Sequence, residues 1–146
     1  MKNFASTGGP KVALFPLGNM QKMARNTAEQ LTAAGCDVAI INPRFTKPLD
    51  NATHEFFGKA ADVVITFEDH ALMGGYGSIV NELFSDQRIT TPVIRIGWPD
   101  VFIEHASSVD YLRQRHGLSA DNAVAKAKVE LAKLTGTEPK RQFAVL

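Results

Sequence analysis

A chain of 146 residues, 45% hydrophobic and 21% charged, can build one core and leaves little length for a second domain. Its 16 basic and 15 acidic residues give a net charge of +1, which removes the electrostatic case for nucleic acid or an anionic membrane surface. No apolar run approaches the roughly 18–20 residues of a membrane span, residues 1–10 lack the apolar stretch of a signal peptide, and the single cysteine, Cys36, has no internal disulfide partner, so a cytoplasmic protein is expected.

Residues 1–10 read as a loose lead-in, 11–135 as the domain and 136–146 as a tail, in which Phe143 and Val145 are apolar enough to dock. The first strand is expected at Lys11–Phe15, broken by Pro16 and Gly18, with Asn19 as the cap of the next helix. Met20, Met23, Ala24, Thr27, Ala28, Leu31 and Ala34 recur at helical spacing, and Gly35 is placed to end that helix in a left-handed conformation. A second strand follows at Asp37–Ile41. Asp50 then caps a shorter helix carrying Phe56, Phe57 and Ala60.

The third strand is expected at Asp62–Phe67. A glycine-rich loop leads from it into a helix with Ile79, Val80, Leu83 and Phe84 on one side, and the fourth strand is Pro92–Ile96. Two further helices, Ser108–His116 and Ser119–Leu134, close the domain. Short Val- and Ile-rich strands alternating with helices force parallel pairing through crossovers, which makes this an α/β fold.

In an open parallel sheet ordered 2-1-3-4, ligands sit at the carboxyl ends of the strands. The loops Pro16–Asn19 and Glu68–Gly75 then face each other, and Glu68, Asp69, His70, Gly74, Gly75, Gly77 and Ser78 become the candidate anion- or partner-facing residues. Two readings stand side by side. The glycines let amides approach an anion at a helix start, with the acids and His70 as proton-transfer or contact groups. Alternatively, the glycines serve close packing and the acidic pair itself answers the free N–H groups.

Other motifs are absent. There is no Gly-x-Gly-x-x-Gly, P-loop or Gly-x-Ser-x-Gly element, and His54, His70, His105, His116 and Cys36 lack metal-ligand spacing. The stretch Arg95–Ala106 is apolar for a loop. Trp98, Phe102, Ile103 and His105 there form a candidate interface, against either the chain's own sheet edge or another subunit.

Three stretches in order, Asn42–Asp50 (NPRFTKPLD), Thr66–Glu82 (TFEDHALMGGYGSIVNE) and Gly97–His105 (GWPDVFIEH), resemble the C-terminal domain of the 1-deoxy-D-xylulose-5-phosphate synthase and transketolase family. Leu112-Arg113 and His116-Gly117-Leu118 extend the resemblance, which runs from about Lys11 to Ala127. It implies a three-layer α/β/α domain with a sheet of four to five strands. One would be antiparallel and precede the first, which places it near Lys2–Thr7. It also implies homodimeric enzymes that use thiamine diphosphate and magnesium to join a pyruvate-derived unit to glyceraldehyde 3-phosphate.

The family holds that cofactor with a Gly-Asp-Gly element on larger N-terminal domains, and this sequence has none. No catalytic residue carries over, and the chain alone is expected to bind no cofactor and to be inactive. The resemblance leaves three roles: support domain of such a synthase, transketolase C-terminal subunit, or a free-standing anion-binding or protein-docking module. A homodimer or an N-terminal thiamine-diphosphate-binding chain is the expected partner.

Overall fold

The computed structural model describes residues 4, 7–105 and 107–136. In chain order these form β1 (Lys11–Pro16), a single 3-10 turn (Gly18–Met20), α1 (Gln21–Ala33), β2 (Asp37–Ile40), α2 (Asn51–Ala60) and β3 (Val63–Ala71). Then follow α3 (Tyr76–Asp86), β4 (Val93–Trp98), α4 (Val109–Arg115) and α5 (Ala120–Leu134). The four strands pair in parallel in the order β2-β1-β3-β4, with Leu14 opposite Ile40 on one side and Ile65 on the other, and Ile65 opposite Ile94.

Alternation along the strands sorts the core into two layers. Val12, Leu14, Val63, Ile65, Phe67, Ile94 and Ile96 pack beneath α1 and α5, against Ala24, Leu31, Ala123 and Ala127. Ala13, Phe15, Ala39 and Val64 pack on the other face, against Phe57 of α2 and Tyr76, Val80, Leu83 and Phe84 of α3. Both faces of the central strands β1 and β3 are covered, which is why they read as unbroken apolar runs, while the edge strands β2 and β4 keep half-buried positions at Val38, Ile40, Val93 and Arg95. Each fully buried Leu, Ile or Phe contributes about 1.5–3 kcal/mol of transfer free energy.

Local chemistry explains the helix ends. Asp50 caps α2, accepting from the Thr53 amide at 3.1 Å and the Thr53 hydroxyl at 2.7 Å. Gly35, at φ 87°, lets α1 close with Cys36 N–H on the Leu31 carbonyl and Gly35 N–H on the Thr32 carbonyl. Thr27, fully buried in α1, is satisfied by its hydroxyl on the Met23 carbonyl at 2.9 Å. Cys36 is buried, and burial pushes its thiol up from the ordinary value, which fits a packed side chain.

Some boundaries differ from the sequence reading. Asn19 does not cap α1; it sits inside the 3-10 turn, and its side-chain amide donates to Asp69 at 2.8 Å. β3 does not stop at Phe67 but runs to Ala71, and β4 runs on to Trp98. The extension is possible because the ladder slips. Phe67 faces Ile96 and Ala71 faces Trp98, so four residues of β3 advance against two of β4.

The antiparallel strand expected near Lys2–Thr7 falls largely outside the described residues. Of its span, Phe4 packs edge-on to Phe57 at 5.5 Å, and the amide and hydroxyl of Thr7 both donate to the Asp37 carboxylate. From residue 137 the tail with Phe143 and Val145 also lies outside the described residues.

Candidate functional site

The slipped stretch of β3 carries the two acids to opposite faces. Glu68 shares the side of Val64 and Thr66 beneath α3, and Asp69 shares the side of Ile65 and Phe67. Glu68 is fully buried. Its carboxyl accepts the Tyr76 amide at 2.6 Å and the Gly77 amide at 3.0 Å. Burial pushes this carboxyl above its ordinary value, and the Gly77 and Tyr76 amides pull it part of the way back.

The loop expected at 68–71 is corrected, since these residues extend a strand, and so is Glu68 as a ligand- or partner-facing group, since it is buried. Of the two readings of the acids, Glu68 follows the second: it supplies the anion for the amides at the start of α3.

The glycines follow from that arrangement. A Cβ at Gly75 would overlap Glu68 Oε2 and the Ala71 carbonyl oxygen. At Gly77 it would meet Thr66 Oγ1 at 2.6 Å, and at Gly97 it would meet Glu68 Cγ at 2.9 Å. Gly74 has open space but a φ of 68°. Ser78 donates its hydroxyl to the Leu72 carbonyl at 2.9 Å and receives Arg95 Nη1 at 3.1 Å. His70 is exposed, with Nδ1 on the Ala71 carbonyl at 3.1 Å.

Asp69 ties four segments together. Its Oδ1 receives the Trp98 indole N–H at 2.8 Å; its Oδ2 receives Asn19 Nδ2 at 2.8 Å and Arg113 Nη2 at 2.6 Å. Burial pushes this carboxyl up, but hydrogen bonds from Arg113, Asn19 and Trp98 outweigh it and hold the group at about 2. Nearby, Glu104 takes Arg115 at 2.8 Å and His116 at 3.0 Å.

The candidate interface residues separate. Trp98 is half-buried and bound to Asp69, Ile103 is half-buried, and His105 is exposed. Phe102 stands entirely in solvent, with a relative exposure of 105%. Sequence reasoning did not single out Asn19, Arg113 or Arg95 as site members: Asn19 entered only as a helix cap ending the loop that faces the site, Arg95 only as the start of the Arg95–Ala106 stretch, and Arg113 only in the Leu112-Arg113 resemblance.

A second buried group joins α2 to α3. The His54 ring stacks on Phe15 at 4.6 Å, its Nδ1 lies 2.7 Å from the Asp50 carbonyl, and its Nε2 lies 2.6 Å from Tyr76 Oη. A carbonyl only accepts, so Nδ1 carries the proton and the tyrosine hydroxyl donates to Nε2.

The residues present do not fit a magnesium–diphosphate group. Among the described residues, no three or more His, Cys, Asp and Glu side chains are grouped as a metal ion requires, and both strand-end acids are engaged internally. Among the described residues, no helix is long and apolar enough to cross a membrane.

Strand order 2-1-3-4, helices on both faces and a glutamate buried under the helix after β3 together define an open parallel α/β/α domain. The sequence profile of the transketolase C-terminal domain matches residues 4–122. The chain belongs to that family.

Among its relatives, the 1-deoxy-D-xylulose-5-phosphate synthase of Methylacidiphilum infernorum (isolate V4) is 44% identical over 119 residues, 82% of this chain and 19% of the synthase. The corresponding enzyme of Acidobacterium capsulatum is 44% identical over 118 residues, 81% of this chain and 19% of that protein. The chain thus spans about a fifth of the length of these relatives.

Among solved structures, a split-gene transketolase in an inactive beta4 tetramer superimposes with a TM-score of 0.74 at 31% identity, over 85% of this chain and 39% of that one. A chain of the 2-oxoglutarate:ferredoxin oxidoreductase of Magnetococcus marinus shares the fold, with a TM-score of 0.51 at 19% identity over 90% of this chain and 20% of that one.

Proposed function

We propose that this chain is the C-terminal assembly and support domain, residues 11–135, of a thiamine-diphosphate-dependent transferase of the 1-deoxy-D-xylulose-5-phosphate synthase type. The reacting groups and the cofactor site belong to other domains or to another chain. The observation that carries this reading is the division of labour at the strand ends. Glu68 and Asp69 serve the domain's own backbone and side chains, while the adjoining loop holds Phe102 fully in solvent. Acids so engaged are committed to the fold, and the loop after β4 leaves Phe102 free for contact with another domain or chain. On this reading the protein works in the cytoplasm, condenses pyruvate with glyceraldehyde 3-phosphate when complete, and feeds isoprenoid synthesis.

The test is calorimetry of thiamine diphosphate with magnesium against the purified chain, alongside a carboligation assay. No binding and no turnover are expected from the chain alone. Turnover is expected once a cofactor-binding N-terminal portion from a synthase relative is added. Tight cofactor binding by the chain alone overturns the reading.

The 31% identity to a split-gene transketolase supports a second reading, a transketolase C-terminal subunit. The reconstituted assembly separates the two. Turnover of pyruvate with glyceraldehyde 3-phosphate supports the synthase reading; turnover of ketose phosphates with aldose acceptors supports the other.

A further inference from the structure

α4 is tied to the domain rather than packed into it: none of its residues is fully buried, and Arg113 reaches Asp69 at 2.6 Å. A helix held in this way leaves space beside it. Between α1, α4 and the turn into α5 lies a slot of about 380 Å³. Small-molecule sites run from about 300 to 1,000 Å³.

The residues around the slot fall into three groups. Met20 and Leu118 are buried and Met23 is half-buried, so with Ala120 they give the slot an apolar base. Most of the polar residues are already engaged. Asn19 and Arg113 hold Asp69, and Arg113 also reaches Asp110 at 3.5 Å. Gln30 donates to Asp121 Oδ1 at 2.9 Å, and Ser119 caps α5 by accepting the Asn122 amide at 3.2 Å. Three are left over. Among the described residues, the side chains of Lys22, Asn26 and Gln114 make no hydrogen bond or ion pair.

Asn26 stands on α1 and Gln114 on α4, so two free carboxamides reach the slot from different helices. Each presents a donor beside an acceptor. The charges around the slot cancel, Lys22 and Arg113 against Asp110 and Asp121, which gives neither a phosphate nor an ammonium group an advantage.

We infer that this slot binds an uncharged planar heteroaromatic of the nucleobase or nucleoside class. The ring lies on Met20, Met23 and Leu118, where sulfur–aromatic contacts suit the two thioethers. The ring edge, itself a donor beside an acceptor, is met by the Asn26 and Gln114 carboxamides, the pairing by which Asn and Gln hold adenine. A polyol would leave hydroxyls unpaired on the apolar base, and an aliphatic chain would leave the carboxamides unpaired. This binding goes beyond the assembly reading and does not depend on it: cofactor calorimetry tests the one and a ligand titration tests the other.

The chain has 4 methionines, so carbon-13 labelling of their methyl groups gives a simple spectrum. Met20 and Met23 report on the slot, and Met73, in the loop after β3, is the control. The full chain is titrated with adenosine, uridine, adenosine monophosphate and ribose. The Met20 and Met23 signals are expected to shift together and saturate with a nucleoside, at a dissociation constant of about 1 mM or below, while Met73 stays in place. Adenosine monophosphate should bind within about threefold of adenosine, and ribose should move nothing. Asn26→Ala and Gln114→Ala should each weaken the better nucleoside about tenfold. Their melting temperatures should match the wild type, since both side chains are exposed and bond to nothing in the described chain.

Four outcomes overturn the proposal. Neither nucleoside gives a saturable shift of Met20 and Met23 at about 10 mM. Ribose shifts them as adenosine does, which assigns the slot to sugars. Adenosine monophosphate binds tenfold or more tighter than adenosine, which assigns it to anions. Or the double variant Asn26→Ala with Gln114→Ala binds as well as the wild type.

Discussion

Asp69 and Arg113, 44 residues apart in the chain, meet at 2.6 Å and pin a helix that has no fully buried residue of its own. Because α4 buries no residue in the core, this pair, with the Trp98–His116 ring contact at 5.8 Å just past its end, ties it to the sheet, while Glu104 in the preceding loop takes Arg115 and His116. Arg113→Met should cost about 1–3 kcal/mol. Amide exchange within 109–115 should speed up while that of β1 and β3 stays slow. Uniform exchange across the domain would contradict this account.

The same pair sets an acid limb. Asp69 is lowered from 3.8 to about 2, so its contribution is complete above the ordinary value and is lost as pH falls toward the lower one. Thermal melts of the wild type should therefore lose stability between about pH 4 and pH 2, with a steepness that Asp69→Asn removes.

Glu68 behaves in the opposite sense. Its carboxyl lies above the ordinary 4.5, so its contribution is complete below that value and declines as pH rises through the raised one. Glu68→Ala should abolish this decline, cost about 2–4 kcal/mol through two unpaired amides and a cavity, and regain part of that loss in formate. Gly75→Ala should cost more than Gly74→Ala in urea titrations. The first drives a methyl into Glu68, and the second only strains a backbone at φ 68° for about 1 kcal/mol.

α3 ends as α1 does, with Ile89 N–H on the Phe84 carbonyl and Arg88 N–H on the Ser85 carbonyl, but the left-handed position holds Arg88 at φ 54° instead of a glycine. Arg88→Gly should stabilise the domain by about 0.5–1 kcal/mol, read as a rise of about 2–4 °C in melting temperature. A fall would show that the arginine side chain is worth more than its backbone strain.

His54 is depressed by burial, against the opposing pull of Asp50, so its contribution is complete above the ordinary 6.5 and is lost as pH falls through the lowered value. Protonating Nε2 would also break the hydrogen bond from Tyr76. Tyr76→Phe should cost about 1–2 kcal/mol. Nitrogen chemical shifts at neutral pH should show the proton on Nδ1, and a proton on Nε2 would reverse the assignment.

Strands, helices and strand order were legible because parallel strands buried on both faces leave apolar runs, and because Gly35 and Asp50 are strong stop and start signals. The family was legible from Asn42–Asp50, Thr66–Glu82 and Gly97–His105. The slip between β3 and β4 was not, since it depends on how Phe67–Ala71 pairs with Ile96–Trp98, a relation between distant segments with no local spacing. The same holds for Asp69: its partners Asn19, Trp98 and Arg113 are scattered along the chain. For Glu68 the sequence left two readings open, a group available for chemistry or an acid answering the free amides of its own helix, and the distances to the Tyr76 and Gly77 amides favour the second.

The sheet also works as an insulator. Leu14 and Phe15 are consecutive in β1, yet Leu14 belongs to the compartment under α1 and α5 and Phe15 to the compartment under α2 and α3. A packing defect on one side meets a wall of backbone before it reaches the other. Damage at two residues joined by a peptide bond should then sum as if they lay in different domains, while residues far apart in sequence but on the same side, such as Leu31 and Ile96, share one fate.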